Sequence, residues 1–136
     1  MKRKFALYQK YRPVTFKEIY GQEQNIQILK NSILMNKIQN GYIFCGQYGT
    51  GKTSLARIFA GAINCHNFKN NLDVIDHCAA CTAITKGHPD IIEIDAASNS
   101  GIDSIRALRE ETQIAPLELN KKVYIIDEAH MLSSAA

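Results

Sequence analysis

Eight consecutive residues constrain this chain more than any others: "GQYGTGKT", Gly46 to Thr53. They fill G-x-x-x-x-G-K-[ST] at every fixed position, with an apolar run ("YIFC", Tyr42 to Cys45) before them and an amphipathic pattern after. Glycines at 46, 49 and 51 let the backbone turn so that successive N–H groups point inward, with no Cβ to obstruct a phosphate. A helix starting at about Lys52 adds its positive end. Lys52 then reaches the β- and γ-phosphates, and the Thr53 hydroxyl ligates Mg²⁺. The competing reading is a glycine-rich turn that matches by coincidence. The strand–loop–helix setting weighs against it.

A phosphate loop also needs a carboxylate at the end of a buried neighbouring strand. "VYIIDEAH" supplies one, 75 positions after Lys52. Asp127 is expected to hold Mg²⁺ through water, and Glu128 to polarise the attacking water as a general base. An Asp-Glu pair after a strand is often only a helix cap. Its pairing with a complete phosphate loop favours the chemical reading, a nucleoside triphosphate site.

The rest of the pattern is alternating α and β. "YRPVTF", Tyr11 to Phe16, reads as an extended arm, because the residue before Pro13 is pushed out of helical geometry. Ile26, Leu29 and Ile33 recur at helical spacing between Gln22 and Lys37, with Asn40 and Gly41 ending that unit. Leu55, Ile58, Phe59 and Ala62 mark one face of the helix after the loop. "IIEI" (Ile91 to Ile94) is a second strand. Ser100 and Asp103 suggest a capping box for a helix running to about Ile114, and Pro116 bars its continuation. "KVYIID" (Lys122 to Asp127) is a third strand, apolar enough to suggest burial on both faces. The expected fold is α/β: a parallel sheet flanked by helices.

Composition excludes several classes. A chain of 136 residues, 46% hydrophobic and 21% charged, is one domain's worth of material and not disordered. Its +3 net charge permits nucleic-acid contact without demanding it. No apolar run approaches a membrane span, and the basic start lacks a signal peptide's apolar stretch, so a cytoplasmic protein is expected. There, four cysteines point to free or metal-bound thiols. Cys78-x-x-Cys81, with Cys65 thirteen positions upstream, has the spacing of a structural Zn²⁺ knuckle. His66, Asp76 and His77 are candidates for the fourth ligand. The plain alternative is three reduced thiols on a small helical excursion. Cys45, in the strand before the loop, reads as core.

Four stretches together resemble the AAA+ clamp-loader ATPase subunits (gamma/tau) of bacterial DNA polymerase III. They are "YQKYRPVTFKEIYGQEQ", "NGYIFCGQYGTGKTSLARIFAGAINC", "DIIEIDAASNSGIDSIRALRE" and "KKVYIIDEAHMLS". The resemblance runs from about Leu7 to the last residues. It implies a P-loop AAA+ RecA-like sheet with a cysteine-bearing, zinc-type insertion at about residues 65–86. It also implies an ATPase that opens a sliding clamp and loads it at primer–template DNA, within a hetero-oligomeric ring of clamp-loader subunits. ATP and Mg²⁺ are the implied cofactors, with structural Zn²⁺; no membrane is involved, and the setting is cytoplasmic and nucleoid-associated.

By that resemblance the nucleotide contacts are Gly46, Gln47, Tyr48, Gly49, Thr50, Gly51, Lys52, Thr53 and Ser54. Tyr11 and Pro13 lie where the family packs against adenine, with Arg12, Ile19 and Tyr20 nearby. Lys52, Asp127 and Glu128 are the catalytic set, Thr53 and Asp127 the Mg²⁺ donors, and Cys65, Cys78 and Cys81 the zinc donors. Arg106 corresponds to a pore position that can meet DNA phosphate. The family's fourth cysteine, three positions before the pair, is Ile75 here. The family also continues with a polar sensor strand between the two motif-bearing strands, an arginine finger, a helical lid and an oligomerisation domain. The chain is therefore expected to be an N-terminal fragment, spanning residues 1–136 of the ATPase domain. A UGA codon meaning Trp but read as stop is one cause consistent with a chain that has no Trp. Two other readings stand beside the clamp-loading motor: a catalytically inert nucleotide-binding piece, and another P-loop machine such as a helicase loader. The cysteine module and "EIDAASNSGID" argue against the last.

Overall fold

The computed structural model describes residues 12–46, 51–66, 68 and 78–136. The chain divides into two units, Met1–Thr85 and Lys86–Ala136. No helix among the described residues is long and apolar enough to cross a membrane.

The first unit is helical. α1 (Glu23–Leu34) buries Ile26, Leu29 and Ile33, the stripe its 3.6-residue period predicts. It stops earlier than Asn40 and Gly41 suggest. Asn36 takes a left-handed conformation (φ 52°), its N–H bonds the Ile33 carbonyl at 3.1 Å, and the Lys37 N–H bonds Ser32 at 2.9 Å. This is a Schellman cap, with Asn in the place usually given to Gly. Of the expected arm, residues 12–15 form no helix and Thr15 is extended, and at Phe16 the chain enters a short 3₁₀ turn, Phe16–Glu18. Phe16 is buried, stacks edge-on against Phe68 at 5.8 Å and lies under the Lys30 ammonium.

α2 (Lys52–Asn64) buries Leu55, Ile58, Phe59 and Ala62 as their spacing predicts, together with Ala60 and Gly61. Gly61 has a reason the pattern does not reveal. A Cβ there would stand 2.6 Å from Ile84 Cγ1 and 3.0 Å from the Ala80 carbonyl oxygen. Both belong to α3 (Ala79–Lys86), so the two helices meet at a notch that only glycine leaves open.

The expected strand at Tyr42–Cys45 is not formed. A strand exists only through a ladder partner, and no described residue pairs with this segment. The Tyr42 ring packs edge-on against Phe59 at 5.0 Å, while Ile43 is 89% exposed. Cys45, expected in the core, is exposed.

The second unit holds a two-stranded parallel sheet. β1 (Ile91–Asp95) pairs with β2 (Val123–Asp127), Ile91 opposite Val123 and Asp95 opposite Asp127. α4 (Ile102–Glu111) lies in the crossover that a parallel pair requires. The capping box at its start is not formed: the N-cap is an extended Gly101, with no side-chain cap. Asp103 lies 3.9 Å from the Arg106 guanidinium instead. The helix ends at Glu111, short of Ile114, where the Thr112 hydroxyl donates to the Arg109 carbonyl at 2.6 Å. β2 is not buried on both faces. Ile125 is buried but Ile126 is 38% exposed.

Candidate functional site

In the first unit, Gly51 is the N-cap of α2 at φ 81°, a conformation that side-chain-bearing residues rarely adopt. This turn delivers Lys52, Thr53 and Ser54 as the first turn of the helix, whose free N–H groups and dipole favour an anion. The Lys52 ammonium donates to the Gly46 carbonyl, spanning the loop, and Ser54 is buried. Gln47, Tyr48, Gly49 and Thr50 lie outside the described residues, as does Tyr11. Pro13 is half-buried, Ile19 buried and Tyr20 88% exposed. An open groove of about 330 Å³ lies beside Lys52, lined also by Gln22, Asn25, Leu29, Tyr42 and Leu55.

In the second unit, Asp127 closes β2, and its carbonyl accepts the Ala96 N–H at 2.9 Å. Glu128 follows in a left-handed conformation at φ 55°. For a residue other than Gly, Asn or Asp this is strained by about 1–3 kcal/mol, a kind of strain that clusters at functional positions. Its N–H donates to Asp127 Oδ1 at 3.0 Å, and its own Oε2 lies 3.3 Å from His130 Nε2 on the following 3₁₀ turn. The turn after β1 is organised by Asp95, whose carboxylate accepts the Ala97 N–H at 2.9 Å and the Ser98 hydroxyl at 3.3 Å. Arg106, on α4, is 69% exposed.

Sequence reasoning missed Asp90. Its side chain is 1% exposed and accepts backbone N–H groups from Leu117, Glu118 and Leu119 at 2.7–2.9 Å. Its carbonyl accepts the Val123 N–H at 2.8 Å, so it ties the approach to β2, and hence the acid pair, to the start of β1. Burial alone raises the Asp90 carboxyl, but the three N–H groups and His88 outweigh it and lower the pKa from 3.8 to about 2. His88 Nδ1 accepts the Asp90 N–H at 3.0 Å, and Nε2 lies 2.9 Å from Glu118 Oε2. No local signal marks such a residue, because its partners lie 27–29 positions away.

The predicted cysteines do come together, all within the first unit. Cys65 follows α2, and Cys78 and Cys81 lie at the start of α3. Cys65 Sγ is 3.4 Å from Cys81 Sγ and 3.9 Å from Cys78 Sγ, and all three sulfurs lie within 4.8 Å of one another. Zn–S bonds of about 2.3 Å at tetrahedral angles separate sulfurs by about 3.8 Å, so the cluster fits three corners of a zinc site. Among the described residues no fourth donor joins the group; His66 is exposed, and Asp76 and His77 lie outside the described residues. Partial burial raises the Cys78 thiol, but the Cys81 N–H and the Cys81 and Cys65 side chains outweigh it and hold it below its ordinary value.

The helices, the parallel pair and the crossover define an α/β protein. The chain belongs to the family described as DNA polymerase III, delta subunit, whose model matches residues 21–136. It is 48% identical over 132 residues to the DNA polymerase III subunit tau of Bacillus subtilis, covering 96% of this chain and 23% of that protein. It is 52% identical over 130 residues to the subunit gamma/tau of Mycoplasma genitalium, covering 95% and 22%. Against the gamma/tau subunit of Mycobacterium tuberculosis the identity is 40% over 132 residues, covering 96% and 23%. The resemblance drawn from the four sequence stretches therefore holds. The chain spans about a fifth to a quarter of the length of these relatives.

Proposed function

We propose that this chain is the nucleotide-binding portion of a replication clamp-loader subunit, binding Mg²⁺–ATP through Gly46 to Ser54. The observation that carries this reading is the start of α2. A left-handed Gly51 presents Lys52 and Thr53 at the positive end of a helix, with Lys52 reaching back to Gly46. The names of its relatives, DNA polymerase III subunits tau and gamma/tau, support the replication context.

In this reading the loop's N–H groups and Lys52 bind the β- and γ-phosphates. Thr53 and Asp127 would each supply a Mg²⁺ ligand, and Glu128 would polarise the attacking water. Bound Mg²⁺ neutralises charge developing on the transferred phosphoryl group. Tyr11 and Pro13 pack against the base. Cys65, Cys78 and Cys81 hold a structural Zn²⁺ that ties α2 to α3. The partners are further clamp-loader subunits in a ring, a sliding clamp and primer–template DNA, in the cytoplasm.

The site by itself is expected to bind far better than it turns over. An arginine supplied across a subunit interface contributes about 10³–10⁵ in rate to sites of this type. The observation favouring this inert-alone reading is that no strand among the described residues pairs with the Tyr42–Cys45 segment just before the loop. Calorimetry with ATP, with and without Mg²⁺, tests binding. Lys52→Ala should weaken it at least about tenfold, the loss of a charged phosphate contact. Magnesium-independent binding that ignores Lys52 overturns the assignment. ATPase assays on this chain with and without primed DNA test turnover, and brisk hydrolysis removes the inert-alone reading.

A further inference from the structure

Three thiols meeting at the junction of two helices have a chemistry besides metal binding. Cys65 and Cys81 are buried at 8% and 5% exposure, whereas Cys78 is half-buried and so is the thiol of the three that solvent reaches. Cys65 Sγ lies 3.9 Å from Cys78 Sγ. A disulfide needs about 2.05 Å, so the two sulfurs have about 1.9 Å to close. Cys65 ends α2 and Cys78 precedes α3, so a bond between them would staple the two helices beside the Gly61 notch.

We propose that Cys65, Cys78 and Cys81 form a peroxide-responsive thiol centre, in which Cys78 is oxidised first and Cys65 closes the disulfide. In the first step the Cys78 sulfur attacks one oxygen of hydrogen peroxide. The O–O bond breaks, sulfur loses two electrons to become sulfenic acid, and one water leaves. In the second step the Cys65 sulfur displaces hydroxide from the Cys78 sulfur. The S–S bond forms, and the hydroxide departs with the Cys65 proton as a second water. Two thiols and one peroxide thus become one disulfide and two waters. Cys81 remains a thiol 3.4 Å from Cys65, placed to exchange into the bond and shift it to Cys65–Cys81. The centre uses the sulfurs assigned to zinc above but does not depend on metal being bound. A disulfide sulfur is no longer a thiolate ligand, so oxidation releases any metal held there.

The test uses the metal-free, reduced chain carrying Cys45→Ser, which removes the exposed fourth thiol. Hydrogen peroxide is added, free thiols are counted, and non-reduced peptides are mapped by mass spectrometry. The expected result is a fall from three free thiols to one per chain, with a Cys65–Cys78 or Cys65–Cys81 linkage. Cys78→Ser should slow thiol loss by about tenfold or more, because the remaining thiols are shielded, and Cys78→Ala guards against a local effect of serine. Cys81→Ser should still yield the Cys65–Cys78 linkage. Sulfinic acid on Cys78 with Cys65 still reduced, linkages only between chains, or thiol loss indifferent to both Cys78 variants overturns the proposal. A parallel sample loaded with Zn²⁺ separates the two readings. Slower oxidation with zinc release supports both, while the same linkage at an unchanged rate supports the disulfide and counts against the metal.

Discussion

The two units hold themselves together by different means. In the first, α1, α2 and α3 each bury a stripe of apolar side chains, and a glycine notch seats α3 closely on α2. In the second, α4 buries no residue, and the buried apolar side chains are few: Ala96, Leu119 and Ile125. There the approach to β2 is secured by one carboxylate, Asp90, and the three backbone N–H groups it accepts. Apolar packing spreads stability over many contacts, each replaceable in part. A polar clasp concentrates it in one ionisable group, so the second unit should answer to pH and to a single substitution in ways the first does not.

The largest expected effect breaks the clasp. The Asp90 pKa is lowered to about 2 from 3.8, so the ionised form is favoured by folding. Its contribution is present above about pH 4 and is lost as pH falls through the interval between 3.8 and about 2. Asp90→Asn keeps one acceptor oxygen but turns an N–H pair toward three donors. Hydrogen exchange should show residues 115–127 losing protection while α1 and α2 keep theirs, with the acid sensitivity of that region gone. Equal loss across both units would erase the contrast.

A smaller effect is expected at the notch. Gly→Ala in a helix interior ordinarily stabilises by about 0.5–1 kcal/mol. Gly61→Ala should instead destabilise by about 1–3 kcal/mol, because its methyl overlaps Ile84 and the Ala80 carbonyl. Denaturant titration followed in α2 and α3 checks the sign; a stabilised variant would mean that α3 does not press on α2.

The smallest effect runs the other way. Glu128→Gly relieves the left-handed strain and should raise stability by about 1 kcal/mol, read as a small rise in the denaturation midpoint. It also removes the carboxylate proposed to polarise water. A neutral or destabilising result would show that the His130 contact holds Glu128 in place more firmly than strain opposes it.

Local periodicity made the helices legible. Ile26, Leu29 and Ile33, and then Leu55, Ile58, Phe59 and Ala62, sit on the buried faces their spacing predicts. The cysteine cluster was legible because ligand spacing survives folding. What failed depends on partners elsewhere in the chain. Tyr42–Cys45 has the composition of a strand, but a ladder needs a neighbour that its own residues do not encode. Ser100 and Asp103 satisfy a capping formula, yet Gly101 takes the cap position and leaves both aside. Glu128 was chosen for its chemistry, and nothing in its neighbours announces a positive φ. Asp90 carries no local signal, because the N–H groups it accepts lie 27–29 positions away.

α2 carries a mechanical implication. At about 1.5 Å per residue, its 13 residues form a rod about 20 Å long, with Lys52 at one tip and Cys65 just beyond the other. The Gly61 notch lies nine residues from Lys52 and four from Cys65, about 13.5 Å against about 6 Å along the axis. Any tilt about that point would therefore displace the lysine end about twice as far as the sulfur end.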